Sequence, residues 1–436
     1  MRSLALVLVL VAAAAFADVP VDVPQLQADT AVYPAAATNG DDVVVTWESF
    51  TGYVRVARVR GDGTVIDVPA KLVGRGQHPA IACGGGRCVV LFEFSGTVEA
   101  AFLSADLDVL RRVRFSIQLP NRVQTVAAND DGFLVTWQSN DYDSAGVLLT
   151  RDGDVFAQFA IHQCIVASAG RGGEFLIAAR PTMNVWPIGL YRVTRDGSLT
   201  AGPTFNDDSL PGTFLGSVAL ASSPNGFLLA YGDSRLGVGE GSVVELDAAL
   251  QARGPRSLLS NDVESGGPVS AAWDGTRYVV AFSAQNERCE VLPRGDRAIA
   301  VENAAEAALA ATSRGLFVAV RRQHDWSIDG YVMPSFAATP APFTVAYEVA
   351  KQFLPAMATD GRSALVTWVE NERGRRVALV LPSGERRDIP FDHGPSAVLS
   401  SLAFDGRNYV MIWTELFPQP DRVYAQVVSP DGALLG

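Results

Sequence analysis

An all-β chain made of one four-stranded unit copied about nine times is what this sequence predicts. Three observations predict it. A short apolar core recurs at intervals close to 45 residues over a 436-residue chain, a glycine-containing turn precedes each core, and a second turn follows. A repeat of this length cannot bury its own apolar faces, so each copy must pack against its neighbours. The cores are Val43–Trp47, Cys88–Phe92, Phe133–Trp137, Phe175–Ala179, Phe227–Tyr231, Tyr278–Phe282, Leu316–Val320, Ala364–Trp368 and Tyr409–Trp413.

The turn ahead of each core reads Asn39-Gly40, Gly84-Gly85-Gly86, Asp131-Gly132, Gly172-Gly173, Asn225-Gly226, Asp274-Gly275, Arg314-Gly315, Asp360-Gly361 or Asp405-Gly406. Glycine and asparagine tolerate the positive φ that a tight hairpin turn requires. A strand of small residues precedes each turn, as in Pro79–Ala82 and Pro355–Ala358. Small side chains suit the innermost strand of a ring, where backbones converge. Ala304–Ala311 is alanine-rich, but its position makes it the inner strand of the seventh unit. The later turns, such as Asp62-Gly63, Asp152-Gly153, Asp196-Gly197, Ser383-Gly384 and Asp431-Gly432, divide a third strand from a fourth. Four hairpin-linked strands per 45 residues is the period of a β-propeller blade. The expectation is a single propeller of nine four-stranded antiparallel blades, or eight if an irregular unit such as the fourth or seventh forms no full blade.

The ends of the chain bear on closure. Arg2, the apolar run Leu4–Ala15 and the small residues at Ala15 and Ala17 have the form of a secretory signal, so residues 1–17 are expected to be removed and the product secreted or periplasmic. Residues 18–31 then form an N-terminal segment in which Val19–Val23 can supply the strand that the last blade lacks. The propeller proper runs over 32–436. No stretch of the expected mature chain is long and apolar enough to span a bilayer.

The pattern of an Asp-Gly turn, an apolar run with Tyr and Val, a closing aromatic and a second Asp-Gly turn, seen from Phe404 to Trp413 and on to Asp431-Gly432, resembles the degenerate propeller repeats of proteins secreted by bacteria. The resemblance covers nearly the whole mature chain and implies architecture alone. The Gly-His and Trp-Asp pairs of WD40 repeats, the Gly-Gly doublet with spaced Tyr and Trp of kelch repeats, the sialidase box and the calcium loops of integrin-type repeats are all missing.

Composition narrows the function. A formal net charge of −12 disfavours nucleic acid and anionic membrane surfaces, both of which need basic patches. There is no phosphate loop and no ordered Ser-His-Asp set. The four histidines, His78, His162, His324 and His393, lack metal-ligand spacing, so neither a metal nor a cofactor is expected. Of four cysteines, Cys83 and Cys88 flank a hairpin turn and are expected to form a disulfide, while Cys164 and Cys289 read as small buried apolar residues.

Binding is expected where loops vary on a rigid scaffold. In an up-and-down blade, the strand 2–3 loops and the segments leading into each blade share one face. Candidate ligand-binding residues on that face are Trp186, Trp326, His324, Asp325, Asp141, Tyr142, Asp233 and Glu370. Trp186 and Trp326 break the repeat, whereas Trp47, Trp137, Trp368 and Trp413 sit at matched positions and read as packing between blades. The expected function is a binding scaffold for a carbohydrate, peptide or protein ligand. The alternative is an extracellular enzyme cleaving polysaccharide or peptide with carboxylates such as Glu48, Glu93, Glu370 and Glu415.

Overall fold

The computed structural model describes residues 26–435 apart from 29–30, 117–123, 141, 182–186, 206–213, 236–237, 265–266, 286, 313, 325, 338, 350–351, 371–373, 384, 392–396 and 416–421. The described residues contain strands and turns and no helix. The chain divides into two compact units, one of residues 28–348 and one built mainly of residues 349–436.

The larger unit holds seven consecutive four-stranded blades, spanning 31–75, 77–116, 124–161, 164–205, 214–263, 269–302 and 304–344, the fifth and sixth joined into one eight-stranded sheet by the pairing of Val263 with Ala284. Within each, strands pair antiparallel in chain order, as local hairpins dictate. Their inner strands are Ala31–Asn39, Gln77–Gly84, Gln124–Ala128, Cys164–Arg171, Phe214–Ser223, Val269–Trp273 and Ala304–Thr312. These neighbour one another in sequence order, and the seventh returns to the first. The second strand of each blade is buried on both faces, with Val43, Val44 and Val45 all fully inaccessible. That is why the cores read as unbroken apolar runs rather than as alternation. One buried cluster fills each of the seven junctions. The cluster joining blades seven and one packs Val43, Val45 and Trp47 against Ala308, Phe317 and Ile328.

The repeat of four-stranded blades is therefore present nine times, as expected. What the repeat does not set is the number in a ring. In place of one ring of nine or eight, the first seven blades close among themselves. The closing contacts are long-range: Thr38 Oγ1 donates to the Ala311 carbonyl at 2.5 Å, and Ala31 N–H donates to the Trp326 carbonyl at 2.6 Å. Every copy carries the same local chemistry, so period alone is blind to which copies meet.

The second unit contains two more four-stranded sheets, 352–389 and 397–435. They share a core of Leu365, Leu379, Tyr409, Met411 and Trp413. The outer place of the last sheet is taken by Leu434–Leu435, paired with Val427 and Val428. The leader 1–17 and the expected closing segment Val19–Val23 lie outside the described residues.

Arginines staple neighbouring blades. Arg58 of blade one donates to the Ala105 carbonyl at 3.1 Å and meets Asp106 at 3.0 Å in blade two. Arg111 of blade two does the same to the Asp152 carbonyl and Asp154 of blade three, and Arg192 of blade four reaches the Ala248 carbonyl of blade five. The tryptophans at matched positions are core: Trp47 is inaccessible, and Trp137, Trp368 and Trp413 are buried. Cys83 and Cys88 are joined by a disulfide, while Cys164 and Cys289 are buried and outside any disulfide.

Candidate functional site

The face carrying the strand 2–3 loops also carries a recurrent irregularity. Inner strands slip register soon after they begin, between Val32 and Ala35, Gln77 and Ala80, Ile165 and Ala167, Leu215 and Val218, and Ala304 and Glu306. In blades one and two the slip falls on Tyr33-Pro34 and His78-Pro79. Proline has no N–H to give the ladder, so the chain bulges there. The bulge holds Tyr33 at φ 53° and His78 at φ 50°. Such left-handed backbone costs on the order of 1–3 kcal/mol for a non-glycine residue and concentrates at functional sites.

These two bulges and the corresponding slip in blade seven form one connected cluster. Tyr33 N–H donates to the Glu306 carboxylate at 3.2 Å, across a sequence gap of 273 residues. His78 N–H donates to the Glu48 carboxylate at 3.1 Å, and the Tyr33 and His78 rings lie 4.5 Å apart. Glu306 pairs with Arg321 at 3.2 Å, and both side chains are largely buried. Burial pushes the Glu306 carboxyl above its usual range, overriding the pull of Arg321 and of the Tyr33 N–H. Burial also raises Glu48. The Tyr33 hydroxyl is raised by its own burial and then by the charges of Glu306 and Glu48. The guanidinium of Arg321 lies 4.9 Å from the Trp326 ring, within cation–π range. Trp326 is itself at φ 57° and 43 % exposed.

Beside this cluster, between blades six and seven, opens a cavity of about 590 Å³. Glu264, Gln285, Glu287, Glu306, Arg321 and Gln323 line it. Glu287, another residue at positive φ, pairs with His324 at 3.2 Å. Carboxylates, amides and a guanidinium in a wall of small residues present hydrogen-bond donors and acceptors of both kinds. An exposed indole edges the same group. The volume is within the range of small-molecule sites.

Of the residues chosen from sequence, Trp326 and His324 adjoin this site through Arg321 and Glu287, outside the cavity lining itself. Tyr142 is exposed on blade three, with its ring 6.4 Å from that of His162, and outside the cavity lining. Its neighbour Asp143 meets His162 Nδ1 at 2.5 Å, and the contacts from Asn140 and His162 hold that carboxyl below its usual range. Asp233 falls in the strand Gly226–Arg235 and Glu370 ends Ala364–Glu370 in the second unit. Trp186, Asp325 and Asp141 lie outside the described residues, as does His393. Tyr33, Glu306 and Arg321 escaped sequence reading. Two signals pointed to them: an aromatic-Pro step at the same place in blades one and two, and a lone glutamate in the alanine strand Ala304–Thr312.

No known protein family matches the chain. No curated protein matches it in sequence. Solved structures do resemble it. PorZ, titled an essential bacterial surface component of the type-IX secretion system of Porphyromonas gingivalis, superposes with a TM-score of 0.51 at 10 % identity, over 94 % of this chain and 52 % of that one. The chain thus spans about half of PorZ. The fucose-specific lectin from Aleuria aurantia gives a TM-score of 0.43 at 12 % identity, over 63 % of this chain and 97 % of the lectin. The β-propeller domain of the Trilobed protease from Pyrococcus furiosus gives 0.45 at 9 % identity, over 73 % and 98 %. At such identities these likenesses concern the fold alone.

Proposed function

We propose that the chain is an exported binding scaffold whose seven-bladed ring takes a carbohydrate at the cavity between blades six and seven. The observation that carries this is the strained cluster of Tyr33, Glu306, Arg321 and Trp326 beside a polar cavity of about 590 Å³. A pyranose presents an apolar C–H face and a rim of hydroxyls. It therefore needs an exposed ring to stack on and, next to it, fixed acceptors and donors. Trp326 supplies the ring; Glu306, Arg321, Gln285 and Gln323 supply the hydrogen bonds. Export is supported by the apolar leader Leu4–Ala15 behind Arg2 and by the Cys83–Cys88 disulfide, which suits an oxidising compartment.

A glycan array probed with the full chain, beside Trp326→Ala and Arg321→Met, tests the reading. The expected result is retention of a defined glycan class by the wild type and its loss in both variants, with the circular dichroism spectrum unchanged. Retention by all three proteins, or by none, overturns the site.

A second reading is hydrolysis. Burial raises both Glu306 and Glu48, and a carboxyl raised by burial is what a general acid requires. Release of reducing sugar that Glu306→Gln abolishes would favour it. Binding without release favours the scaffold.

A further inference from the structure

A second cavity, of about 450 Å³, lies on the same face between blades one and two. We propose that it is a second subsite for the same ligand, so that the natural ligand is a polysaccharide chain and not a single sugar. This rests on the carbohydrate reading above.

Gly52, Arg75, Gly76, Gln77, Glu93 and Phe94 line this cavity. Phe94 is 43 % exposed, and the Arg75 guanidinium lies 5.7 Å from its ring. An open ring flanked by a guanidinium, an amide and a carboxylate repeats the chemistry around Trp326. Gly76 lets the backbone run close against blade two beside this cavity. A Cβ there would stand 2.4 Å from the Phe92 ring and 2.7 Å from the Glu93 carbonyl, so a side chain has no room.

The two cavities are joined residue by residue. Gln77 of the second cavity precedes His78; the His78 ring lies against Tyr33; and the Tyr33 N–H is held by Glu306, which lines the first cavity. Exposed rings are carried by the same three blades, Trp326 on blade seven, Tyr33 and Phe50 on blade one and Phe94 on blade two. Phe50 is 79 % exposed at the tip of its strand 2–3 turn. A protein interface centres on a contiguous apolar core depleted of charge. Here the rings are separated by carboxylates, amides and guanidinium groups. A chain of repeating sugar units, each with an apolar face and a polar rim, matches that alternation.

Calorimetry with size-graded cello-, chito- and malto-oligosaccharides, from monosaccharide to hexasaccharide, tests the proposal on the full chain. Occupying both subsites at once should make the best hexasaccharide bind on the order of tenfold to a hundredfold tighter than its disaccharide. Phe94→Ala and Arg75→Met should each bring the hexasaccharide down to the disaccharide level and leave the disaccharide unchanged. Affinity independent of length, or variants that weaken short and long ligands alike or neither, would overturn the second subsite while the first stands. If no saccharide of any length binds, the carbohydrate reading fails and the extension with it. Capture of a polypeptide that Phe94→Ala releases would also overturn it.

Discussion

Two glycines of blade four, two residues apart, separate steric from conformational cost. Gly170 sits in the inner strand against blade three, where a Cβ would meet the Ala128 carbonyl oxygen at 1.9 Å and its carbon at 2.6 Å. Side-chain carbons essentially never approach closer than 3.0 Å, so the two backbones must part by at least about 1.1 Å at that point. The obstacle is a strand backbone that cannot rotate away. The neighbouring ties across blade junctions, Thr125 Oγ1 to Ser168 Oγ at 2.7 Å and Ser222 Oγ to the Gly170 carbonyl at 2.7 Å, resist the same movement. Overpacking costs about 1–3 kcal/mol where side chains can adjust, so Gly170→Ala should reach about 3 kcal/mol or more. Gly172 is the control. It sits at φ +54° with open space around its Cβ position, so Gly172→Ala should lose only about 1–2 kcal/mol of left-handed strain. Urea unfolding followed by tryptophan fluorescence gives both midpoints. A Gly170→Ala midpoint equal to or above that of Gly172→Ala would refute the view that contact between inner strands sets the junction.

Three further expectations follow from the charges and the disulfide. Asp196 is held down to about 2 by Thr194 Oγ1 and by Ser198, so its share of stability is complete above its usual 3.8 and is lost as pH falls toward 2. Asp196→Asn keeps an acceptor in the turn and should flatten the fall in Tm over that window; parallel curves would refute this. Glu306 is raised above 4.5, so the folded state holds its proton longer and stability declines as pH climbs from 4.5 through the raised value. Glu306→Gln should lessen that decline, and an unchanged slope of Tm against pH would count against the buried carboxyl. The Cys83–Cys88 bond closes a loop of sequence separation 5. The paired Cys83→Ser, Cys88→Ser change should therefore cost only about 2 kcal/mol by chain-entropy arithmetic. A loss well above this would assign the bond a larger structural role.

The blades were legible because a blade is local. Its turns, apolar runs and small inner strand lie within 45 residues, and the matched tryptophans announce a shared core. The disulfide was legible for the same reason, since Cys83 and Cys88 stand on one hairpin. Ring size was hidden because it depends on which copies touch, and the pair Thr38–Ala311 is separated by 273 residues. The site was half legible. Trp326 stood out by breaking the repeat. Tyr33 looked like an ordinary residue before a proline, and Glu306 like a stray charge in an alanine strand. Only the meeting of blades seven and one brings the two together.

That meeting place is also where the ring closes on itself. Single bonds such as Ala31 to Trp326 and Ala70 to Tyr347 cross between its two sides. Parting them would have to break these bonds and open the buried core of Val43, Trp47, Phe317 and Ile328. Tyr33 and Glu306 stand on opposite lips of this closure. A molecule gripping both would act as a clasp, and occupancy would slow the opening of the whole circle.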